Sequence, residues 1–381
     1  MRMSALTKAI FWASAGMLVH THITYPIALA ALARMRGGPR RSSVRVAPPE
    51  PPTVSLIVAA FDEADVIELR VANALALDYP RDRFELIVAS DGSADGTAEL
   101  ARGAGAHLVL DLPRGGKMRT QNAAVERAAG DIVAFSDANS LWDRDALRLL
   151  VAAFADPVVG YACGEVSYLD AEGDNEEGAY WRLEMRIREL ESGLGGITAG
   201  NGGIYAVRRE SYRFLEPSRS HDLSFPFELR KAGWRSVYVP DARAEERMVP
   251  SLEGEFARKR RMMVGIPDIV LADRMWDPRG YGPLFAFQIL SHRVLRYASP
   301  VLHLLALGSS LALLRRRLVY RLALAAQLAL LSAAAGANLT PSRVPRLARY
   351  YVLVTASIAL GCWDRWHSGP PAAWEKSEGT R

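Results

Sequence analysis

The sequence predicts an α/β domain built on a mostly parallel sheet, with membrane-spanning helices at both ends of the chain. Apolar strands alternate with helical segments between positions 53 and 170, a pattern typical of a parallel sheet with helices on both faces. Long apolar runs precede and follow this part of the chain. Short acidic and glycine-containing motifs occur where a predicted strand ends or a helix begins, which is where open parallel sheets bind nucleotides.

The first apolar run is long enough to cross a membrane. It extends from Ala9 to Ala33 without a formal charge, and about 20 apolar residues suffice to span a bilayer. A secretory signal peptide is the alternative, but the run is long for one and has no clear small-residue cleavage site. Arginines cluster directly after it, so the positive-inside rule predicts a cytoplasmic domain next. Residues 1–36 are therefore assigned to a transmembrane helix and the proline-containing segment 37–52 to a linker.

Residues 53–280 are predicted to form the cytoplasmic domain. Its first segment, 53–60, is apolar throughout, as expected for a strand covered on both faces of a sheet. From residue 178 to 265 the pattern is mixed. Further strands are predicted at 84–90, 107–112, 131–136 and 204–207, and helices at 63–77, 97–106, 118–129 and 180–192.

Residues 281–365 are predicted to return the chain to the membrane. Positions 281–296 suit an amphipathic helix in the membrane interface, and apolar runs follow at 297–314, 322–338 and 350–363. If all three runs cross, the arginine-rich loop 315–321 lies outside, against the positive-inside rule. Either one run is re-entrant or interfacial, or the rule fails at this loop. Residues 366–381 are assigned to a tail.

Composition excludes two classes of function. The formal net charge is +5, from 47 Lys and Arg residues against 42 Asp and Glu residues. Many arginines flank apolar runs, which indicates contact with a membrane surface and not with nucleic acid. The two cysteines of the sequence, Cys163 and Cys362, lie far apart, so neither a zinc site nor a disulfide framework is expected.

Acidic motifs follow the first two predicted strands. Phe61-Asp62-Glu63 ends the first strand, where a carboxylate can accept hydrogen bonds from ribose hydroxyls. We favour Glu63 for this contact, whereas Asp62 suits a helix N-cap equally well. The segment 91–97, Asp-Gly-Ser-Ala-Asp-Gly-Thr, follows the second strand. Its glycines permit a tight turn, so this segment taken alone also fits a simple strand-to-helix turn.

Four more motifs complete the ordered set. Gly115-Gly116-Lys117 precedes a predicted helix, where backbone N–H groups and a lysine favour a diphosphate, although the motif lacks the spacing of a Walker A loop. The others are Asp137-Ala138-Asn139 after the fourth strand, His221-Asp222, and Arg258-Lys259-Arg260-Arg261-Met262.

In this order the motifs resemble the membrane-bound family-2 glycosyltransferases, in particular the cellulose- and hyaluronan-synthase-like group. Those enzymes move a sugar from a nucleotide diphosphate to an acceptor. The resemblance implies a GT-A fold, which is Rossmann-like, and an inverting reaction. It also implies contacts with the nucleotide sugar by Phe61, Glu63, Asp91, Gly116, Lys117, Asn122, Asp137, Arg258 and Arg261.

The resemblance further implies a divalent metal, Mg²⁺ or Mn²⁺, at Asp137 and Asn139. Family members usually carry Asp-x-Asp at this point, and their two carboxylates hold the ion that bridges the phosphates. Asn139 retains an oxygen ligand but lacks the charge. The sequence therefore predicts a weaker metal site at this position.

The family pattern places the general base at Asp222, which would take the proton of the acceptor hydroxyl. Helix capping is the simpler alternative for this residue, and a membrane-facing basic patch is the alternative for the arginine motif. Met262 stands where the family usually has Trp, which weakens the case for a polysaccharide channel. The residues expected at the acceptor are Trp181, Gly202, Gly203 and Met262, although core packing is the alternative for Trp181.

The sequence thus predicts an inverting hexosyltransferase of cell-envelope or exopolysaccharide synthesis. It would use a nucleotide-diphosphate sugar, with a UDP-sugar favoured, and a glycan or lipid-linked acceptor. The expected location is a bacterial-type inner (plasma) membrane, multi-pass, with the catalytic domain in the cytoplasm. The alternatives are a polyprenyl-phosphate sugar synthase and a degenerate, nucleotide-binding membrane scaffold.

Overall fold

The computed structural model describes residues 2–37, 50–168, 176–247, 252–339 and 342–369. Most of the predicted linker and tail lie outside these ranges. Within them, eight strands form one mixed sheet in the order β3-β2-β1-β4-β7-β6-β8-β5. The strands are β1 (Val54–Ala60), β2 (Phe84–Asp91), β3 (Leu108–Leu112), β4 (Ile132–Asp137), β5 (Leu141–Trp142), β6 (Val159–Tyr168), β7 (Tyr205–Arg208) and β8 (Arg235–Glu246).

The helices of the described residues occur between the strands and at both ends of the chain. Those of the first half are α1 (Arg2–Val19), α2 (Tyr25–Met35), α3 (Ile67–Leu75), α4 (Thr97–Gly103), α5 (Lys117–Arg127) and α6 (Ala146–Ala152). Those of the second half are α7 (Glu176–Leu194), α8 (His221–Lys231), α9 (Leu252–Met263), α10 (Pro283–Ile289), α11 (Leu295–Ala312), α12 (Leu318–Ala335) and α13 (Arg343–Ser368).

The first half of the sheet is parallel, as predicted. β1 lies between β2 and β4, and all three run in the same direction, as does β3 beside β2. Every residue of β1 is buried. Leu56 and Val58 face one hydrophobic cluster and Ile57 faces another, so the strand is covered by helices on both sides. The predicted fold class, a GT-A-type α/β sheet, is confirmed.

The second half of the sheet is mixed, which the sequence did not reveal. β7 runs antiparallel to both β4 and β6, and β8 runs parallel to β6. The two-residue strand β5 pairs with the carboxyl end of β8. This last pairing brings the end of β8 beside the turn that follows β4.

The terminal helices form a bundle against the sheet domain. α1 packs along α11, and α13 packs along α9 and α12. Two π-helical turns, His20–Thr24 after α1 and Leu290–Val294 after α10, contact each other. In the described part of the chain, two helices have the length and apolar composition needed to cross a membrane: Ala5–Met35 and Leu318–Ala335.

The segment predicted to lie in the membrane interface, 281–296, packs differently from that expectation. Its polar side chains are not presented to lipid headgroups. His292 and Arg293 are buried, and they contact Glu191 and Glu184 of α7. These contacts lie inside the protein, so this segment joins the sheet domain to the bundle.

The last predicted span, 350–363, lies within α13 and runs beside a helix of the sheet domain. Gly361 lies so close to α9 that a Cβ there would be 2.6 Å from the Cβ of Met263. Asp364 accepts hydrogen bonds from both Nε and Nη2 of Arg260 on α9, at 2.6 and 2.7 Å. α13 is therefore fastened to the sheet domain along the part that was predicted to span.

Candidate active site

The predicted site residues converge at the carboxyl edge of the parallel strands. In the pairing register, Ala60 of β1 lies beside Ser90 of β2, and Ala59 lies beside Asp137 of β4. The strands therefore end at nearly the same level, and the loops that follow them meet. This is the edge at which open α/β sheets bind ligands.

The loops after β1 and β2 are fastened to each other by their own side chains. Asp62 accepts a hydrogen bond from the N–H of Ala94 at 2.9 Å, and its own N–H donates to Ser93 Oγ at 3.0 Å. The N–H of Glu63 donates to Thr97 Oγ1 at 2.9 Å. Asp62 has a φ of 50°, a conformation that short polar side chains tolerate better than most.

The two predictions for this motif have different outcomes. Asp62 does not cap a helix, because α3 begins at Ile67 and its N-cap position is Val66. Its carboxylate instead holds the loop that follows β2. Glu63 is buried at the end of the first strand. Its contact with a ribose stays a prediction.

Asp91 holds the glycine-lysine loop in place. Its buried carboxylate accepts hydrogen bonds from the N–H groups of Gly115 and Gly116, at 2.7 and 3.0 Å, and from Thr120 Oγ1 at 3.1 Å. Gly116 has a φ of 88°, which favours glycine at this position. The Asp91 carboxylate thus already accepts hydrogen bonds from the protein itself. Its predicted contact with the nucleotide base stays a prediction.

Arg114 is a site residue that the sequence reasoning missed. Its guanidinium lies over the ring of Phe61 and its Nη1 is 3.6 Å from the Asp91 carboxylate. The side chain thus places a positive charge between the first two strand ends. Its position beside the Gly-Gly-Lys motif was the available signal, because an arginine next to a diphosphate loop is a natural phosphate contact.

Lys117 and Asp137 form an ion pair where α5 begins and β4 ends. The pair borders residues 199–203, Ala-Gly-Asn-Gly-Gly, which form the glycine-rich loop. Gly202 and Gly203 of this loop are predicted to lie at the acceptor. A Cβ added at Gly202 would lie 3.6 Å from both Asp137 Oδ2 and Lys117 Nζ. Residues predicted to serve the donor and the acceptor therefore adjoin one another, as a transfer reaction requires.

Glu246 is a second residue that the sequence reasoning missed. It ends β8, and its side chain is hydrogen-bonded to Ser140, the residue that follows Asn139. Burial and, after it, the nearby Asp137 carboxylate raise the pKa of Glu246. Ser140, Lys117 and Arg258 act in the opposite direction. No sequence motif marks Glu246, because only the pairing of β5 with β8 brings it to this edge.

The oxygen donors at this edge fit a hard divalent cation. Asp137 and Glu246 offer carboxylates and Asn139 offers an amide oxygen, which are the ligand types that Mg²⁺ and Mn²⁺ prefer. Across the described ranges, no group of three His, Cys, Asp or Glu side chains is arranged to hold a metal unaided. A cation here would thus take its remaining ligands from phosphate oxygens or water, as Mg²⁺ commonly does.

Asp222 lies in the first turn of α8, beside the glycine-rich loop. Its backbone carbonyl accepts a hydrogen bond from the N–H of Gly200 at 2.7 Å. No hydrogen bond to its carboxylate comes from any residue that the structure describes, and the group is partly exposed. It does not act as a cap, because no side-chain bond closes the start of α8. The carboxylate is left available to an acceptor.

The neighbouring His221 belongs to the core. Its Nδ1 lies 2.6 Å from the hydroxyl of Tyr205, and its ring stacks on Phe225 with centroids 4.2 Å apart. Burial, with a smaller effect of Lys117, holds the pKa of His221 well below its usual range. The neutral ring positions Asp222 through the shared helix start and does not face the site.

Asn122 is also occupied by the protein itself. Its amide nitrogen donates to the carbonyl of Leu215 at 3.0 Å, and its oxygen accepts from the Tyr212 hydroxyl at 2.8 Å. The side chain thereby anchors the segment that leads into α8. The predicted nucleotide contact of Asn122 is untested, but the observed geometry gives this residue a structural task.

The predicted acceptor residues fall into two groups. Gly202 and Gly203 line the edge beside Asp137 and Glu246. Trp181 instead packs against both hydrophobic clusters of the sheet and meets Tyr168 edge to face. Trp181 thus has the packing role that was weighed against acceptor binding.

Helix α9 divides its basic residues between two directions. Arg258 donates to the buried carboxylate of Glu255 at 2.7 and 2.8 Å and lies near enough to Glu246 to lower its pKa. Arg260 turns to the opposite side and binds α13. Arg261 is partly exposed and Met262 is exposed. Helical spacing thus directs Arg258 towards the site edge, and its predicted contact with a diphosphate is untested.

Comparisons with known proteins agree with this geometry. A sequence profile described as "Glycosyltransferase like family 2" matches residues 51–265, which span β1 to the turn after α9. A solved structure of the mannosyltransferase PcManGT from Pyrobaculum calidifontis, in complex with GDP-Man and Mn²⁺, superposes with a TM-score of 0.71. The two sequences are 23% identical, and the match covers 96% of this chain and 99% of that one. At that identity the likeness shows a shared fold.

Two curated relatives also match part of the chain. Poly-beta-1,6-N-acetyl-D-glucosamine synthase of Staphylococcus aureus is 25% identical over 233 residues, which are 58% of this chain and 56% of that protein. Beta-monoglucosyldiacylglycerol synthase of Synechocystis sp. is 27% identical over 277 residues, 65% of this chain and 56% of that protein. The chain spans little more than half the length of these relatives.

Proposed function

The chain belongs to glycosyltransferase family 2, and from that premise we propose that it transfers a hexose, with inversion, from a nucleotide-diphosphate sugar to a glycan or lipid-linked acceptor. A single observation carries this proposal. The Lys117–Asp137 pair adjoins the glycine-rich loop, and the same loop is bonded to the backbone of Asp222. The same loop therefore adjoins two sets of groups. Lys117 and Asp137 suit a diphosphate and its cation, and the Asp222 carboxylate suits an acceptor hydroxyl.

The donor would bind along the strand ends. Glu63 would meet the ribose. Asp91 would contact the base directly, or would support the nucleotide through the loop of Gly115 and Gly116 that it holds. Gly116 and Lys117 would hold the diphosphate, since backbone N–H groups at a helix start and a lysine both favour anions. Arg258 and Arg261 would approach the phosphates from α9. Phe61 would border the nucleoside under the guanidinium of Arg114.

A divalent cation, Mg²⁺ or Mn²⁺, would be held by Asp137 and Asn139 and would neutralise charge on the departing diphosphate. The oxygen donors at this edge support the assignment. When the donor binds, Asp137 would hold the cation and Lys117 would move from Asp137 to a phosphate oxygen. A mannosyltransferase of the same fold was solved with Mn²⁺, which favours a metal here as well.

Asp222 would take the proton from the acceptor hydroxyl as that oxygen attacks the anomeric carbon. In a single displacement the nucleophile enters on the face opposite the leaving diphosphate, so the anomeric configuration inverts. The base must reach the hydroxyl and remain ionised. The hydrogen-bonding capacity of Asp222, unused by the described residues, supports this role. Gly202, Gly203 and Met262 would border the acceptor.

We propose a membrane location with the domain of residues 53–280 in the cytoplasm. The apolar helices Ala5–Met35 and Leu318–Ala335 support attachment. Relatives named for a polysaccharide and for a glycolipid product leave both acceptor classes open. We place the chain in cell-envelope or exopolysaccharide synthesis, with a UDP-sugar as the favoured donor. Polyprenyl-phosphate sugar synthesis is the second candidate, since one-step transfer to a lipid needs no polysaccharide channel.

The test is release of nucleoside diphosphate by the full chain in detergent or nanodiscs. A panel of nucleotide sugars is supplied with Mg²⁺, Mn²⁺ or EDTA, together with membrane lipid extract as acceptor. We expect metal-dependent release from one donor. Asp222→Asn should abolish transfer and retain nucleotide binding, whereas Asp82→Asn, an exposed change beyond the opposite end of β2, should change neither. Full activity of the Asp222→Asn variant would remove the base assignment.

Nucleotide binding without release from any donor would favour the scaffold alternative over an enzyme. Transfer to polyprenyl phosphate but not to glycan or diacylglycerol would identify the one-step synthase.

A further inference from the structure

The metal motif of this chain has one carboxylate where two are usual. Asp137 ends β4, and the third position of the motif is Asn139. An amide oxygen ligates a hard cation but adds no negative charge, so the pair alone binds a divalent ion more weakly. A second carboxylate near Asp137 would restore the missing charge.

Glu246 is the carboxylate that meets this condition. The pairing of β5 with β8 sets Leu141 opposite Glu245 and Trp142 opposite Ala244. Because β5 begins two residues after Asn139, this pairing brings the end of β8 alongside the metal motif. The hydrogen bond from Ser140 Oγ to Glu246 then fixes the carboxylate next to the motif.

The glycine-rich loop leaves room for this carboxylate. A Cβ at Gly203 would collide with Glu246 Oε1 and approach Ser140 Oγ to 2.8 Å. A Cβ at the preceding residue, Gly202, would face Asp137 and Lys117. The two adjacent glycines thus border two carboxylates at once, and any side chain at either position would narrow the space between them.

The charges around Glu246 are those of the diphosphate site. Its charged neighbours include Asp137, Lys117 and Arg258, all of which are expected to contact the donor. When Lys117 and Arg258 bind the phosphates, Glu246 would lose their balancing charge, and a divalent cation would replace it, because a partly desolvated charge is costly when it is unbalanced. If Glu246 only held Ser140 in place, a neutral hydrogen-bond acceptor such as a glutamine or asparagine side chain would be enough.

We propose that Glu246 supplies the second carboxylate of the divalent-cation site, together with Asp137, in place of the carboxylate that Asn139 lacks. The inference rests on the proposed function, since the cation is the one that would accompany the nucleotide sugar. Ser140 is then a positioning residue that orients Glu246. Arg258 and Lys117 remain partners of the phosphates.

The test is the affinity of the full chain for Mn²⁺, measured by loss of the free-ion EPR signal in the presence of UDP and, separately, GDP. We expect Glu246→Gln to weaken Mn²⁺ binding by at least about tenfold, because even residues that only support metal ligands are worth about that much. Glu245→Gln is the matched control, since Glu245 is the exposed neighbour on the same strand. Its Mn²⁺ affinity should equal that of the wild type.

A second variant tests the compensation directly. Asn139→Asp in the Glu246→Gln background should recover most of the lost Mn²⁺ affinity, whereas Asn139→Asp alone should strengthen binding. Ser140→Ala should weaken binding less than Glu246→Gln. Thermal unfolding of each variant checks that the fold is intact. Unchanged Mn²⁺ affinity in a folded Glu246→Gln variant would overturn the proposal and leave Glu246 as a support for Ser140.

The same measurements separate this inference from the proposed function. The wild type could bind Mn²⁺ together with a nucleoside diphosphate and yet release no nucleoside diphosphate from any nucleotide sugar. Transfer would then be contradicted, and the Glu246 result would still stand. If the wild type shows no Mn²⁺ binding with either nucleotide, the Glu246 assignment is overturned even where transfer is observed.

Discussion

Two halves of the proposed site are assembled by different kinds of contact. The nucleotide half consists of the loops at residues 61–63, 91–97 and 115–117, and the acceptor half consists of the loop at residues 198–203 and the side chains that hold it. In the nucleotide half, hydrogen bonds join loops of successive strand–helix units, such as Asp62 with Ala94, which are 32 positions apart. In the acceptor half, the bonds join distant parts of the chain. Tyr25 donates to Glu191 across 166 positions, and His292 meets the same carboxylate across 101.

Glu191 is the centre of the acceptor half. Its buried carboxylate accepts from Tyr25 at 2.6 Å and from the N–H and Oγ1 of Thr198 at 3.1 and 2.9 Å, and His292 Nδ1 lies 2.7 Å away. One carboxylate thus joins α2, α7, the segment that leads into the glycine-rich loop, and the turn before α11. The acceptor loop is therefore held by the same group that fastens both terminal segments.

Because of this difference, the two halves should respond differently to changes in the terminal helices. The nucleotide half needs only its own loops, so the donor site should persist when the terminal helices are disturbed. The acceptor half depends on those helices, so disturbing them should reach the loop at residues 198–203. Each variant below tests one side of this contrast, and the largest expected effect comes first.

Glu191→Ala should have the largest effect on stability. Removing one partner of a buried, charged network typically costs about 3–5 kcal/mol, because the other groups are left unbalanced. We expect a lower midpoint of thermal unfolding and loss of transfer, with nucleotide binding retained in the fraction that remains folded. The measurements are thermal unfolding in detergent and UDP or GDP binding by calorimetry.

The matched control for that change is Glu189→Ala. Glu189 lies on the same helix and pairs with Arg186 at the surface, where an ion pair contributes about 0–1 kcal/mol. Loss of nucleotide binding and of acceptor transfer in equal measure for Glu191→Ala would contradict the division into two halves.

Gly116→Ala should affect the nucleotide half with a smaller cost. At a φ of 88° and a ψ of 158°, which essentially only glycine adopts, a Cβ is strained by about 1–3 kcal/mol, and relief of that strain would move the N–H groups that bind Asp91. We expect weaker binding of the nucleoside diphosphate, seen by calorimetry, with little change in the unfolding midpoint. Gly103→Ala is the control, because Gly103 ends α4 with open space around its Cα. Unchanged nucleotide affinity would contradict this role of the loop.

The contrast also explains which features could be predicted from the sequence. β1 to β4 and their motifs were predictable, because each motif follows a continuous apolar strand and its partners are close in sequence. Asp91 was recognised as a site residue, yet its bonds to Gly115 and Gly116 were not, since nothing in the pattern distinguishes a loop-holding carboxylate from a ligand-binding one.

The rest of the site was only partly predictable, for a physical reason. Glu246 and Glu191 are acidic residues in segments without a motif, and their positions depend on strand pairing and on helix packing across long separations. Gly202 and Gly203 were noticed because glycine-rich turns are visible locally. The buried polar side chains of His292 and Arg293 were taken for a membrane-facing surface, because a sequence shows an amphipathic pattern but not what covers its polar side.

Glu255→Gln should change the pH dependence of stability through α9. Burial opposes the charge of Glu255, but hydrogen bonds from Arg258 and the nearby Lys259 outweigh it and lower the pKa from 4.5 to about 2. A carboxylate with a lowered pKa stabilises the fold above its unfolded-state pKa, and this contribution is lost as the pH falls towards the folded-state value. Wild type should therefore exceed Glu255→Gln in unfolding midpoint at neutral pH, and the gap should shrink between pH 4.5 and 2.

Glu253→Gln is the control for that experiment. Glu253 lies on the same helix with its side chain 82% exposed, so its substitution should leave the pH profile of the wild type unchanged. A gap between wild type and Glu255→Gln that stays constant across this range would show that the ionised carboxylate is not what stabilises α9.

The smallest effect is expected where α13 meets α9. Asp364 binds Arg260 through two hydrogen bonds, but the side chains are 28% and 42% exposed. An exposed ion pair contributes below about 1 kcal/mol and is screened by salt. Asp364→Asn should thus shift the unfolding midpoint only slightly, and the shift should vanish in high salt.

The close packing of Gly361 on Met263 is the stronger attachment, so Gly361→Leu should disturb acceptor transfer far more than Asp364→Asn does. The reverse order would mean that charge, and not close packing, fastens the last helix to the site.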